Sequence, residues 1–253
     1  MIPAERQQFI LSMVRENGGV ISLHELISRL GVSHMTVRRD VQKLERDGAV
    51  ISVSGGIELS NKLLEEPSHF AKESMSSEEK RRIGQKASEY IPENSCVYLD
   101  AGTTSLALAQ SLAGRDDLTI VTNDFEVINY LMPHTKSSLI HVGGQVLKSN
   151  CSTVGPLAAK IIGSLSIDVA FLSASSWNSR GVTTPDIEKV TVKQAVLKAS
   201  KKHILICDSS KFGQVATFIA FPLDKLDMVI SDGALDESGI RILREQGIEL
   251  HLV

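Results

Sequence analysis

The chain has 253 residues, 42% of them hydrophobic and 23% charged, which is ordinary for a globular protein and long enough for two domains with separate cores. Its net charge of −3 gives no overall attraction to nucleic acid, so any DNA contact has to come from a local basic patch. Cys96, Cys151 and Cys207 are odd in number and widely spaced, Glu5 and Arg6 stand where a secretory signal would be apolar, and no apolar run is long enough to span a bilayer; these features point away from a disulfide framework, a metal site or a membrane partner and fit a cytoplasmic protein.

The first module extends over residues 1–60. Phe9, Ile10, Met13 and Val14 predict the apolar stripe of a first helix ending near Asn17-Gly18-Gly19. Ser22-Leu23-His24-Glu25 forms a capping box for a second helix through Leu26, Ile27 and Leu30, with Gly31 as the tight turn. Ser33 caps a third helix and Gly48 ends it. Val37, Val41 and Leu44 recur at helical spacing and face a small core, which leaves Ser33, His34, Met35, Thr36, Arg38, Arg39 and Lys43 for a DNA groove. Hydroxyl, imidazole and guanidinium groups at a helix N-terminal end suit phosphate oxygens and base edges. Two competing readings stand beside this one. In the first, Asp40, Glu45 and Asp47 pair with the basic residues on a solvated helix face. In the second, the module contacts protein. Thr36 is open between a phosphate contact and its own helix backbone. Residues 49–53 and 57–59 around Ser54-Gly55-Gly56 predict the hairpin of a wing.

Arg6, Ile10 and Val14, followed by Ser33-x-x-Thr36-Val37-Arg38-Arg39-Asp40-Val41, resemble the N-terminal signature of the DeoR family of bacterial transcriptional regulators, and the match runs on through Gly48 and Gly55-Gly56. The interval from Val14 to Ser33 is one residue longer than the family's and is absorbed at Gly18-Gly19. Ser52 and Ser54 stand where the family carries a basic residue before the Gly-Gly pair. The resemblance thus implies groove contacts from the third helix, without the basic wing contact.

Residues 61–76 are polar, include Pro67 and are expected to form a linker, with Leu63, Leu64 and Phe70 as docking candidates. Ser76-Ser77-Glu78-Glu79 is a second capping signal, followed by a helix with Ile83, Ala87 and Tyr90 on one side. Over residues 77–253 strand-length apolar runs at 96–99, 119–122, 139–142, 169–173, 203–207, 228–231 and 249–253 alternate with helical stretches near 104–113, 125–132, 154–162, 190–199 and 238–246. This alternation predicts an α/β domain with a largely parallel sheet.

Leu99-Asp100-Ala101-Gly102-Thr103-Thr104-Ser105 follows a strand and opens a helix. Gly102 allows close backbone approach, free N–H groups lie at the helix start, and three hydroxyls stand beside them, which is a phosphate cradle in type. Taken alone, the same residues are equally a helix cap. Thr122-Asn123-Asp124 ends the next strand and Gly143-Gly144 the third, so polar or glycine-rich strand ends in succession predict one shared crevice.

The second half resembles the C-terminal effector domain of the same family, which is similar in fold to ribose-5-phosphate isomerase. Asp168-Val169-Ala170-Phe171, Gly181-Val182-Thr183-Thr184 and Cys207-Asp208-Ser209-Ser210-Lys211-Phe212-Gly213 carry this match. The resemblance implies a phosphorylated sugar or related metabolite as effector and Lys193 and Lys211 as cations for it; a helix-turn-helix monomer reads only one half-site, so a homo-oligomer is expected. For Lys193 the plainer reading is a surface lysine; Asp100 either accepts sugar hydroxyls or braces its loop; Asp168 is structural. Where the family carries a Glu four positions before the lysine matched by Lys193, this chain has Lys189, with Glu188 beside it. That exchange implies either a more acidic effector or a displaced Glu188. The rival to a regulator is an active isomerase, which needs a carboxylate to move a proton. The related enzymes carry an acidic run after the strand at Asp168, and here the run is Ser173-Ala174-Ser175-Ser176-Trp177. No catalytic residue is expected, nor a cofactor. A further alternative treats this half as a dimerisation platform alone.

Overall fold

The structure, a computed structural model, describes residues 2–17, 20–46, 49–53, 55–59, 62–63 and 65–253. It divides into two compact units, Met1–Leu64 and Glu65–Val253. Among the described residues no helix is long and apolar enough to cross a membrane.

In the first unit, helices α1 (Pro3–Glu16), α2 (Leu23–Leu30) and α3 (His34–Arg46) accompany strands β1 (Val20–Ser22), β2 (Val50–Val53) and β3 (Gly56–Leu59). The strands are antiparallel in the order β1-β3-β2. The Ser22 hydroxyl accepts from the Glu25 N–H at 3.1 Å, and Gly31 closes α2 at φ 63°. Ile10, Met13, Val14, Leu26, Val37, Val41, Leu44, Val50 and Ile57 form the core. Phe9, expected in the α1 stripe, is 46% exposed. Ile10, Met13 and Val14 already complete one face at i, i+3 and i+4, and position 9 lies about 100° away from it. β1 leaves no sequence signal, since its three residues are too few to show a period. It explains Gly56: a Cβ there would lie 2.4 Å from the Ile21 carbonyl oxygen. The stops expected at Gly18-Gly19 and Gly48, and Ser54 of the hairpin turn, lie outside the described residues.

In the second unit the described residues form a seven-stranded sheet in the order Glu249–Leu252, Met228–Ser231, Ser200–Ile206, Ile167–Leu172, Cys96–Leu99, Thr119–Thr122, Ser138–His141. Every neighbouring pair is parallel. Each expected strand is present, with ends shifted most at Ser200–Ile206. Burial on both faces explains the near-continuous apolar runs. Val97, Leu99, Val169, Phe171, Ile204 and Ile206 belong to one core, and Tyr98, Ala170, Leu172 and Leu205 to the other. Helices α5 (Ser77–Ser88), α6 (Thr103–Ser111), α7 (Phe125–His134), α8 (Gly155–Ile162), α9 (Ile187–Ala199) and α10 (Glu237–Glu245) complete the layers. The chain starts inside the sheet at Cys96–Leu99, runs out to Ser138–His141, then returns to Ile167–Leu172 on the other side. The order therefore reverses between Cys96–Leu99 and Ile167–Leu172, and it is at such a reversal that open α/β sheets bind ligands, beyond the carboxyl ends of the strands.

The stretch expected as a linker contains a short helix, α4 (His69–Glu73), opened by Ser68, whose hydroxyl accepts from the Ala71 N–H at 3.3 Å. His69 and Lys72 are buried and Phe70 is 66% exposed, so the polar residues of this helix dock and the aromatic does not. Ser76 does not cap α5. It sits at φ 50° without a side-chain bond to the helix.

Gly84 of α5 lies directly on α6. A Cβ at that position would stand 2.6 Å from the Ala107 carbonyl carbon and 2.7 Å from the Leu108 nitrogen. Backbone cannot swing aside as a side chain can. Gly84→Ala is therefore expected to destabilise by about 1–3 kcal/mol, although the same change in an exposed helix stabilises. Differential scanning calorimetry should read this as a melting point lower by roughly 3–8 °C.

Candidate functional site

The first candidate surface is α3. The Ser33 hydroxyl accepts from the Thr36 N–H at 3.3 Å and lies 2.9 Å from the Thr36 hydroxyl. His34, Met35, Arg38, Arg39 and Lys43 are exposed, while Val37, Val41 and Leu44 are buried. Asp40, a candidate surface partner for the basic residues, is buried instead. It accepts from Arg6 Nε at 2.5 Å and Gln7 Nε2 at 3.2 Å, which locks α1 to α3. The signal was available in the spacing: 37, 40, 41 and 44 lie on one helical stripe. Glu45 accepts from the Ser52 N–H at 3.0 Å, and Asp47 lies outside the described residues. Met35, Thr36, Arg39, Lys43 and Arg46 line an open groove beside Pro3 and Gln7.

The second candidate site fills the sheet's reversal point. Asp100, Ala101 and Gly102 leave one central strand; Ser173, Ala174 and Ser175 leave its neighbour. The Asp100 carboxylate accepts from the Ser173 N–H and hydroxyl, each at 3.0 Å, and from Lys193 Nζ. Lys193 also donates to the Ser173 carbonyl at 2.6 Å. Asp100 thus braces the two loops, and Lys193 is a buried cation balanced by it. Gly102 stands at φ 151°, in the region that favours glycine, and its N–H donates to Asp124 at 2.9 Å. Thr103, Thr104 and Ser105 are buried at the start of α6, and the Ser105 hydroxyl has no hydrogen-bond partner.

Two small cavities meet there. One is bounded by the start of α6 from Gly102 to Thr104 together with Lys72, Lys80 and Lys211. The other is bounded by Asp100, Asn123, Asn150, Ser152, Lys189 and Lys193. Glu66, Ala101 and Ser173 line both. Asn123 is fixed by Tyr98 Oη at 2.8 Å and by the Thr153 carbonyl at 2.8 Å. Thr122, Gly143 and Gly144 line neither cavity. The Thr122 hydroxyl accepts from the Asp124 N–H, and a Cβ on Gly144 would stand 2.9 Å from the Val154 carbonyl oxygen, so both positions serve the frame. Asp168, expected to be structural, accepts from the Cys96 N–H and from Lys201.

The crevice is strongly cationic. Lys80 Nζ donates to the carbonyls of Lys72 at 2.6 Å and Met75 at 2.5 Å. Burial pulls its ammonium down to about 8, helped by Lys211 and Lys72 and opposed by Asp208. Burial also lowers Lys72, and it pushes the Asp124 carboxyl up to about 6. For Glu66, burial pushes upward, but Lys189 and Lys72 outweigh it and hold the carboxyl well below the usual range. Lys189 faces the cavity; Glu188 lies against Gly155. Sequence reasoning missed Glu66, Lys72, Lys80 and Asn150. Only Lys80 left a trace: it shares an i, i+3, i+4, i+7 stripe with Ile83, Gly84 and Ala87, all buried on α5.

A model of the DeoR-like helix-turn-helix domain matches residues 6–62, and one of the DeoR C terminal sensor domain matches residues 75–233. The chain belongs to the DeoR family. Over 253 residues it is 50% identical to an uncharacterized HTH-type transcriptional regulator of Haemophilus influenzae, covering 100% of this chain and 98% of that one. It is 30% identical to the glycerol-3-phosphate regulon repressor of Escherichia coli, across 100% of both chains. Among solved structures, ribose 5 phosphate isomerase A from Neisseria gonorrhoeae aligns with 53% of this chain and 52% of its own at 19% identity and a TM-score of 0.39, a likeness too distant to transfer any residue. This DeoR-family member is a DNA-binding transcriptional regulator.

Proposed function

We propose that this DeoR-family regulator is a repressor of a carbohydrate-catabolism operon, released from its operator by a phosphorylated sugar or related metabolite. The observation that carries this reading is the concentration of Lys72, Lys80 and Lys211 around the start of α6. There backbone N–H groups, the Thr103 and Thr104 hydroxyls and three ammonium groups converge on a space suited to a dianionic phosphate. The name of the E. coli relative, a glycerol-3-phosphate regulon repressor, supports the same effector class. Residues 1–60 are assigned to operator binding. The effector domain is assigned from Glu65 onward, ahead of the expected start at 77, because Glu66 and Lys72 line the cavity.

A helix-turn-helix reads one half-site, so the active species is a homodimer or larger. Leu157 and Ile161, exposed one turn apart on α8, are candidates for its interface. A mobility-shift titration with glycerol 3-phosphate, glucose 6-phosphate and fructose 1-phosphate tests the whole reading. Two chains per operator and a drop in operator affinity with at least one of these compounds is the expected result. By linkage, DNA must weaken the binding of that compound by the same factor. A compound that binds the protein yet leaves operator affinity unchanged would refute the switch.

Lys80 adds a pH signature. Its proton leaves the free protein near 8, and a bound phosphate holds that proton on. Effector affinity is therefore expected to fall as pH rises through 8, by up to about tenfold per unit, because binding then takes up a proton. Calorimetric titrations at pH 7, 8 and 9 check the slope. Lys80→Gln should bind more weakly at pH 7 and show a flat profile.

A further inference from the structure

Glu66 is a carboxylate held as a ligand would be. Lys72 Nζ donates to one oxygen at 2.6 Å; Lys189 Nζ at 2.5 Å and the Ser175 hydroxyl at 2.9 Å donate to the other. Lys72 is steadied from behind by Asn150 Oδ1 at 2.9 Å. The side chains of Glu66, Lys72 and Lys189 are only 16%, 8% and 12% exposed. Two lysines, a hydroxyl and a backing amide thus form a receptor for a planar anion, occupied by the chain itself.

Glu66 also forms part of the wall between the two cavities. Of the three residues lining both, Ala101 and Ser173 are fixed by the sheet's strand ends, since the Ser173 hydroxyl donates to the Ala101 carbonyl at 2.7 Å. Glu66 lies in a segment without regular structure, just ahead of α4. Moving it joins the α6 compartment to the Lys189 compartment. A neutral ligand cannot drive that motion, because it would leave Lys72 and Lys189 as uncompensated buried charges. Only another anion of similar shape replaces what Glu66 supplies.

We infer that the pocket of Lys72, Lys189 and Ser175 is a carboxylate subsite, and that the effector is a phosphorylated sugar acid whose carboxylate displaces Glu66 there while its phosphate sits at the start of α6. The second half of this inference rests on the phosphate reading above. The distinctive residue is Lys189, the basic side chain at the position where an acidic one was expected. An acid there suits sugar hydroxyls; a lysine suits an acid group. Glu66 lies two residues beyond the end of the Met1–Leu64 unit.

Isothermal titration of the full chain at pH 7.5 tests the subsite with pairs matched in length and phosphate position: 6-phosphogluconate against glucose 6-phosphate, and 4-phosphoerythronate against erythrose 4-phosphate. Fructose 1,6-bisphosphate and gluconate complete the panel. The expected result is at least a tenfold preference for an acid over its aldose partner. Lys189→Gln should erase the preference, and Lys189→Arg should retain it. Glu66→Gln should bind the acid severalfold more tightly, since the internal competitor is gone. Circular dichroism and the melting point verify that each variant is folded. Equal affinity for acid and aldose, or tighter binding of the bisphosphate, overturns the carboxylate subsite and leaves the phosphate reading standing. Gluconate binding as tightly as 6-phosphogluconate overturns the phosphate reading instead. Failure of every phosphorylated probe to bind at millimolar concentration overturns both.

Discussion

Replacing Arg38 and Arg39 together by alanine is expected to lower operator affinity by roughly two to four orders of magnitude at 0.1 M salt. Both side chains are exposed in the first two turns of α3, and the buried side of that helix is Val37, Asp40, Val41 and Leu44, which the substitutions leave alone. Each lost phosphate contact removes about one released counterion, close to a tenfold loss near 0.1 M salt, and each lost base contact removes about 1–3 kcal/mol of discrimination. The measurement separates the two roles. If both arginines meet phosphates, the slope of log affinity against log salt becomes shallower by about two and non-operator DNA suffers equally. If one reads a base, operator DNA loses more than random DNA and the slope changes by about one. An affinity within threefold of the parent would return α3 to the protein-contact reading. Arg6 is the informative contrast. It is also an arginine of this unit, but it is spent on buried Asp40, so Arg6→Ala should act through stability, by stranding a carboxylate in the core, and lower the melting point before it touches the salt slope.

The contrast also marks what local sequence can carry. Val37, Val41 and Leu44 announce α3 because a 3.6-residue period is written in adjacent turns. The seven apolar runs announce the sheet because strands buried on both faces need no partner to look apolar. The opposition of Asp100 to Ser173 depends on strand order, which no local pattern encodes, so the brace on Lys193 was not legible; nor was the assignment of Asp40 to Arg6, 34 positions away. Glu66, His69 and Lys72 looked like linker because polar side chains within a few residues of one another resemble solvated chain. Their burial becomes apparent only when α4 lies in the unit with its lysines satisfied by Glu66, Asn150 and backbone carbonyls. Gly84 and Gly144 gave no warning either. Their need for a missing side chain comes from backbone approaching from elsewhere in the fold.

Thr103→Val combined with Lys211→Met should leave ligand-free operator binding intact and make release insensitive to effector. The first change keeps the volume at the start of α6 and deletes a hydroxyl; the second deletes a cation from the same cavity. A lost hydrogen bond to a charged group costs about 1.5–3 kcal/mol. With part of that for the hydroxyl and the rest for the ammonium, effector affinity falls by roughly 10- to 150-fold. Operator affinity without effector is set by α3 and by the resting equilibrium of the protein, neither of which these side chains touch. A ligand shifts that equilibrium only by its differential affinity for the two states. The concentration of sugar phosphate that releases half the operator should therefore rise by the same factor as its dissociation constant, while the operator affinity of the effector-free protein stays fixed. Should the double variant instead melt well below the parent, the start of α6 is a structural cap first, and the division between a side that grips DNA and a side that grips an anion has to be redrawn around Lys72 and Lys80.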